Sequence, residues 1–213
     1  MSGILDLLNS DLGKQIIGGV SKQTGAPENK TADVLSMAMP VLMGAMQRNA
    51  STPEGASGLL SALSGGKHDG GILDNLGGLF GGGVDNNVLN DGAGILGHVL
   101  GAKQAPVQNA LSQKSGLDAG TIASILKIAA PLLMGYLGKQ TKQNNVSDSN
   151  GLGNLLGGLM GGSPKQEQSF LESILDADGD GSVIDDVAGM VLSGGGKKKS
   201  GLGGLLGGLF GKR

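Results

Sequence analysis

The sequence contains no cysteine and no tryptophan, and its 213 residues include only one tyrosine and three phenylalanines. The absence of cysteine excludes disulfide bonds and thiolate chemistry. Because aromatic residues are so few, the core must be built from leucine, isoleucine, valine, methionine and alanine. Such cores form readily, but their packing is weakly specified.

The chain also lacks a large excess of either charge. Its formal net charge is −2, which gives no general attraction to nucleic acid or anionic lipid. The first fifteen residues, MSGILDLLNSDLGKQ, lack a basic segment and are typical of an amphipathic helix rather than a signal peptide. No stretch approaches the roughly 20 apolar residues of a membrane span. We therefore expect a cytoplasmic protein.

Glycine, in contrast, is abundant, with 43 residues. Much of it lies in three similar leucine–glycine segments, called here the first (ILDNLGGLFGG, 72–82), second (GLGNLLGGLMGG, 151–162) and third (GLGGLLGGLFG, 201–211). Their large apolar residues recur at helical spacing, and the glycines collect on the opposite face. Each glycine costs a helix roughly 0.5–1 kcal/mol relative to alanine. We therefore expect these segments to be helical only where an apolar surface buries their leucines.

Three surfaces could bury these leucines, and the alternative is a low-complexity tail with no specific role. The three surfaces are the chain's own helical repeats, a second copy of the protein, and a membrane. The membrane alternative rests on the basic residues at 197–199 and 212–213, which flank the third segment.

Two longer stretches also resemble each other: VSKQTGAPENKTADVLSMAMPVLMGAM (20–46) and LSQKSGLDAGTIASILKIAAPLLMGYL (111–137). Each predicts a helix that ends at a glycine, Gly25 or Gly116, in the position where a positive φ is favoured. A long apolar helix follows in both. The two glycines are 91 residues apart, and the pattern indicates an internal duplication.

The second helix of each copy, at 31–46 and 121–137, has a wide apolar stripe, so we expect these helices to be the most buried parts of the chain. Pro40 and Pro131 occupy equivalent places in them. Each proline either kinks its helix or begins a further helix at the first helical position.

Strand patterns are missing throughout, so we predict an all-α fold. It consists of a duplicated helical repeat unit with Gly-rich flexible linkers and a short C-terminal helix–acidic loop–helix. The predicted segments are a first helical repeat (1–64), a Gly-rich linker with a leucine–glycine segment (65–87), a second helical repeat (88–139), a polar and Gly/Leu-rich linker (140–168), the helix–acidic loop–helix (169–192) and a Lys/Gly/Leu tail (193–213).

The stretches SKQTGAPENKTADVLSMAMPVLMGAM and ILGHVLGAKQAPVQNALSQKSGLDAGTIASILKIAAPLLMGYLG resemble the bacterial DUF937 family, which is related to the YidB-like proteins. The resemblance covers roughly residues 1–139. It implies an α-helical fold with no assigned activity, and it supplies no catalytic residues.

Neither histidine indicates an enzyme. His68 lies in a glycine loop and His98 lies within apolar GILGHVLG, and neither has a nearby carboxylate or serine pattern that indicates a nucleophile or a metal site. A phosphate-binding signature is also missing. We therefore predict that the protein is not an enzyme.

The stretch ALSQKSGLDAGTIASIL has the outline of a helix-turn-helix. A recognition helix needs polar side chains that reach base edges, but the second helix here carries only one charge, on Lys127. The sequence therefore does not favour nucleic acid as a partner, and DNA binding remains the weaker alternative.

One motif carries metal chemistry: DADGDGSVIDD, at 176–186. Its alternating aspartates and glycine match an EF-hand calcium loop, with a serine carbonyl at position 7. Position 12 is Val187 instead of a glutamate, so Asp185 or Asp186, one or two residues earlier, would have to close a shorter, dockerin-like loop. The alternative is a solvated acidic turn that caps a helix. The predicted calcium ligands are Asp176, Asp178, Asp180, Ser182, Asp185 and Asp186.

Together these features predict a non-enzymatic helical protein that self-associates or docks on a protein partner and carries a weak calcium-binding loop. A membrane-surface protein that uses its leucine–glycine segments is the first alternative.

Overall fold

The computed structural model describes residues 3–160, and every regular element in this part of the chain is helical, which confirms the predicted all-α fold. The helices are α1 (Ile4–Asn9), α2 (Asp11–Thr24), α3 (Glu28–Asn49), α4 (Pro53–Ser64), α5 (Gly71–Asp74), α6 (Leu76–Gly81), α7 (Asn86–Leu100), a 3₁₀ turn (Gly101–Lys103), α8 (Gln104–Ser115), α9 (Ala119–Gln143) and α10 (Ser149–Met160).

The core is formed by α3 and α9, which pack on each other and on most of the other helices described. Their central residues are almost fully buried, including Leu42 and Leu133. The prediction that the helices at 31–46 and 121–137 are the most buried is therefore confirmed for the described residues.

Both long helices continue through their prolines. Pro40 lies inside α3 and Pro131 lies inside α9, so the alternative in which a new helix begins at each proline is wrong. A proline removes one backbone hydrogen bond from a helix. Here the residues on both sides of each proline are buried, and their packing offsets that loss.

The turns before α3 and α9 have the same local geometry. Gly25 ends α2 with φ 72°, and Gly116 ends α8 with φ 74°, in the left-handed region that favours glycine. In each turn a serine hydroxyl, from Ser21 or Ser112, donates to the carbonyl five residues later, at 2.7 and 2.5 Å. That the two turns are alike because of an internal duplication remains a prediction.

The segment at 65–87, predicted to be a linker, contains α5 and α6 and packs on the helical body. Two exposed ion pairs lie along it: Asp69 with Lys142 (3.3 Å) and Asp74 with Lys139 (3.0 Å). The Gly71 amide, followed by Lys142, lowers the pKa of Asp69. The Gly-rich composition of this segment predicted a linker, but its packing on the helical body and its ion pairs hold it in place.

Among the described helices, α9 alone is long and apolar enough to cross a membrane, with a mean hydropathy of 1.5 over its most apolar window. This corrects the expectation that no stretch approaches a membrane span. However, 72% of that window is buried inside the protein. The core helix of a water-soluble fold passes the same test, so α9 is weak evidence for a membrane location.

Candidate functional site

A cleft of about 600 Å³ lies between α4 and α7. Leu59 on α4 and Ile95 on α7 contribute apolar side chains to its two walls, and Met46 of α3 and Met134 of α9 line it from the core. Its volume lies within the range of roughly 300–1,000 Å³ typical of small-molecule sites.

One end of the cleft is closed by His68. The Nε2 atom of its ring lies 2.9 Å from Oδ2 of Asp91 on α7, and Nδ1 lies 3.2 Å from the carbonyl oxygen of Ala62 on α4. The His68 side chain is only 10% exposed. It therefore links the two walls of the cleft.

The pattern around His68 in the sequence did not predict this pair with Asp91. Asp91 is 23 residues from His68 along the chain, and the contact forms because both the 65–70 loop and α7 pack on α9. The carbonyl of His68 lies against Gly138 of α9, where a side chain would leave it no room. Sequence spacing carried no signal for such a contact. His98, in contrast, is an exposed residue of α7 that also lines the cleft.

The opposite end of the cleft is closed by Asn49, at the end of α3. Its side-chain amide donates to the carbonyl of Val99 on α7 (3.2 Å), and its own carbonyl lies against Gly55 of α4. Because Ala62 and Asp91 lie at one end while Gly55 and Val99 lie at the other, α4 and α7 run in opposite directions along the cleft. About seven residues of helix separate the two ends, or about 10 Å at the helical rise of 1.5 Å per residue.

The polar residues of the cleft are two carboxylates, two histidines and two asparagines. Glu54 and Asp91 supply its carboxylates, and no lysine or arginine is among the described residues that line it. Serine, threonine and tyrosine are also missing from this lining. The arrangement offers apolar walls with two carboxylates at the edges of the cleft.

A second feature is the docked helix α10, which contains most of the second leucine–glycine segment and contributes no residue to the cleft lining. It packs on α3, α4 and α9, and we call the surface it covers the α10-binding surface. Asn154 points to solvent. The residues of α10 that are buried there are Leu152, Leu155, Leu156 and Leu159.

The first leucine–glycine segment behaves differently. Asn75, with φ −124° and ψ 41°, interrupts it, so it forms two short helices, α5 and α6, instead of one. Leu73 and Leu76 are buried, and the Phe80 ring packs against Gly19 of α2. Both described segments thus have buried leucines, but only the second presents the predicted single helical stripe.

The predicted calcium ligands all lie outside the described residues: Asp176, Asp178, Asp180, Ser182, Asp185 and Asp186. Within residues 3–160, no group of three or more histidine, aspartate and glutamate side chains is placed to hold a metal ion. The calcium site therefore stays a prediction from sequence.

A family model described as a bacterial protein of unknown function, DUF937, matches residues 6–140. No curated protein and no solved structure matches the chain.

Proposed function

Because this chain belongs to DUF937, a family of bacterial proteins of unknown function, we propose a function from its own geometry: a non-enzymatic docking protein that self-associates through its leucine–glycine helices. The observation that carries this proposal is α10, a leucine–glycine segment docked as a helix with four buried leucines. The occupant that we propose is the third segment of a second copy, which exchanges with α10 on the same surface.

The third segment repeats the second almost residue for residue. Residues 151–161 and 201–211 differ at only two of eleven positions, where Asn154 corresponds to Gly204 and Met160 to Phe210. Every leucine that α10 buries has a counterpart in the third segment. A surface that accommodates the leucines of α10 therefore also has the shape required by the leucines of the third segment in helical form.

The two differences affect strength more than fit. Asn154 is exposed in α10, so glycine at this position loses no buried contact, although it lowers helix propensity by a few tenths of a kcal/mol. Met160 is half-buried, and phenylalanine there has a larger apolar surface to cover. The third segment is thus a weaker helix former with the same apolar stripe.

The short connection to α9 favours α10 as the usual occupant. Only five residues separate the end of α9 at Gln143 from the start of α10 at Ser149, so α10 has a high effective concentration at its surface. A segment from another copy competes only when α10 detaches. Self-association should therefore be weak in the wild type and should rise with protein concentration.

Vacating the α10-binding surface should increase self-association. Leu155→Asp with Leu156→Asp places two charges at positions that are 2% and 0% exposed, so α10 can no longer dock there. We expect the full-length double variant to form dimers or larger assemblies at concentrations where the wild type is monomeric. Sedimentation velocity over a hundredfold concentration range measures this change.

The matched control is Asn154→Asp, which adds a charge at an exposed position of the same helix and should leave the assembly state unchanged. Deleting residues 201–213 from the Leu155→Asp, Leu156→Asp variant should restore the monomer. If association persists after the deletion, the exposed surface aggregates without the third segment and the proposal fails. If the deletion abolishes binding to anionic vesicles and has no effect on assembly, the membrane is the partner.

The acidic loop adds a calcium prediction to this function. Without a bidentate glutamate at position 12, the loop should bind one calcium ion weakly, with a dissociation constant on the order of 10⁻⁴–10⁻³ M. Calorimetric titration of the full chain should show this binding, and magnesium should bind poorly because it requires a strict octahedral shell. The Asp178→Ala, Asp180→Ala double variant should lose the heat signal. Equal heats from variant and wild type would place calcium elsewhere.

A further inference from the structure

We propose that the cleft between α4 and α7 is a binding site for a compact molecule with an apolar body and a positively charged amine head. This site is separate from the α10-binding surface, and the inference does not depend on self-association. It rests on the dimensions of the cleft, its lining and its charge.

The dimensions indicate a small molecule rather than a helix. The volume of about 600 Å³ lies within the range of roughly 300–1,000 Å³ typical of small-molecule sites. His68 and Asn49 close its two ends about 10 Å apart, whereas an eleven-residue helix is about 16 Å long and 10–12 Å wide with its side chains. An octyl chain or a compact ring system matches this length, and a leucine–glycine helix does not.

The lining provides the apolar contacts. Met46 and Met134 reach the cleft from the core, and methionine adapts its shape to irregular ligands. Gly58 of α4 and Gly94 of α7 also line it, and neither has another atom within 4 Å of the position a side chain would take. These two glycines therefore leave space along both walls of the cleft, and an apolar ligand can lie there.

The charges select the head group. Asp91 is paired with His68, so Glu54 is the carboxylate that remains for a ligand. Among the described residues that line the cleft there is no lysine or arginine, and of the two histidines His68 is paired with Asp91 and His98 with the Gly94 carbonyl. An anionic head would therefore lie beside the Glu54 carboxylate without a permanent positive charge to meet it. An ammonium group would meet an opposite charge, which makes a cationic head the favoured one.

Three probes with one tail and different heads test the proposal: octyltrimethylammonium, octyl glucoside and octyl sulfate, each titrated below its micellar concentration into the full-length protein. Calorimetry should give the tightest binding for the ammonium and the weakest for the sulfate. Glu54→Gln should weaken binding of octyltrimethylammonium about two- to fivefold, which is the contribution of a solvent-exposed ion pair. It should leave the affinity for octyl glucoside unchanged. Equal affinities of the three heads, or tightest binding of the sulfate, would overturn the cationic assignment.

A matched pair of leucine substitutions on α7 locates the bound probe. Gly94→Leu fills the cleft and should abolish binding of the ammonium probe, whereas Gly97→Leu lies on the same helix, outside the residues that line the cleft, and should leave it intact. Both substitutions exchange glycine for a better helix former, so we expect both variants to fold. Circular dichroism checks that their helical content is retained. If Gly94→Leu still binds the ammonium probe, or if both variants lose binding equally, the probe does not bind in this cleft and the proposal is wrong.

Discussion

Leu133→Asp should prevent the protein from folding stably. Leu133 lies in the middle of α9 and is 1% exposed. The substitution loses the burial of a leucine, worth about 1.5–3 kcal/mol, and places an unpaired carboxylate in the core, which costs several kcal/mol more. The sum is comparable to the whole stability of a typical domain, about 5–15 kcal/mol. Leu42→Asp, at an equivalent depth in α3, should have the same effect.

Circular dichroism during heating measures this loss, as a lowered or missing unfolding transition. The control is Ser124→Asp, which adds the same charge to an exposed position on α9 and should change stability by less than about 0.5 kcal/mol. If Leu133→Asp unfolds at the temperature of the wild type, the core does not lie between α3 and α9.

Gly92→Ala should destabilise the protein although alanine is the better helix former. Gly92 is buried on α7, and a β-carbon there would collide with the backbone carbonyl of Lys127 on α9. Backbone atoms cannot move aside as the end of a flexible side chain can, so α7 must shift away from α9. Overpacking of this kind costs about 1–3 kcal/mol, which exceeds the gain of roughly 0.5–1 kcal/mol from helix propensity.

Gly97→Ala is the matched control because, apart from neighbouring residues of its own helix, no atom lies within 4 Å of the position its β-carbon would take. It should stabilise the protein by up to about 1 kcal/mol, so the two substitutions should have opposite signs. Urea unfolding followed by circular dichroism compares their free energies of unfolding. Stabilisation by Gly92→Ala as well would mean that α7 does not pack backbone to backbone on α9.

The local rules of the sequence predicted the helical fold and its two central helices. The wide apolar stripes of α3 and α9 marked the core, and the glycines after α2 and α8 marked turns of positive φ, because these features depend only on neighbouring residues. The family resemblance followed from the same stretches, and the match over residues 6–140 supports it. The leucine spacing of the second segment likewise predicted the stripe that α10 buries.

Local sequence patterns could not predict whether α3 and α9 continue through their prolines. A proline inside a helix breaks one backbone hydrogen bond, whereas a proline at the first helical position breaks none. Whether the helix continues therefore depends on the packing of the flanking residues. In α3 and α9 those residues are buried, so each helix continues. The first leucine–glycine segment is the converse case: its spacing resembles that of α10, but Asn75 interrupts it, and two short helices pack separately on the body.

The sequence by itself determined the type of fold, the position of the core helices and the apolar stripes, because periodicity and glycine placement act over one or two helical turns. Only the tertiary structure decided the cleft and its His68–Asp91 pair, since these residues meet through the packing of α7 and the 65–70 loop on α9. That packing depends on close backbone contact at Gly92 and Gly138. In a sequence with 43 glycines, local patterns do not show which of them lie between helices.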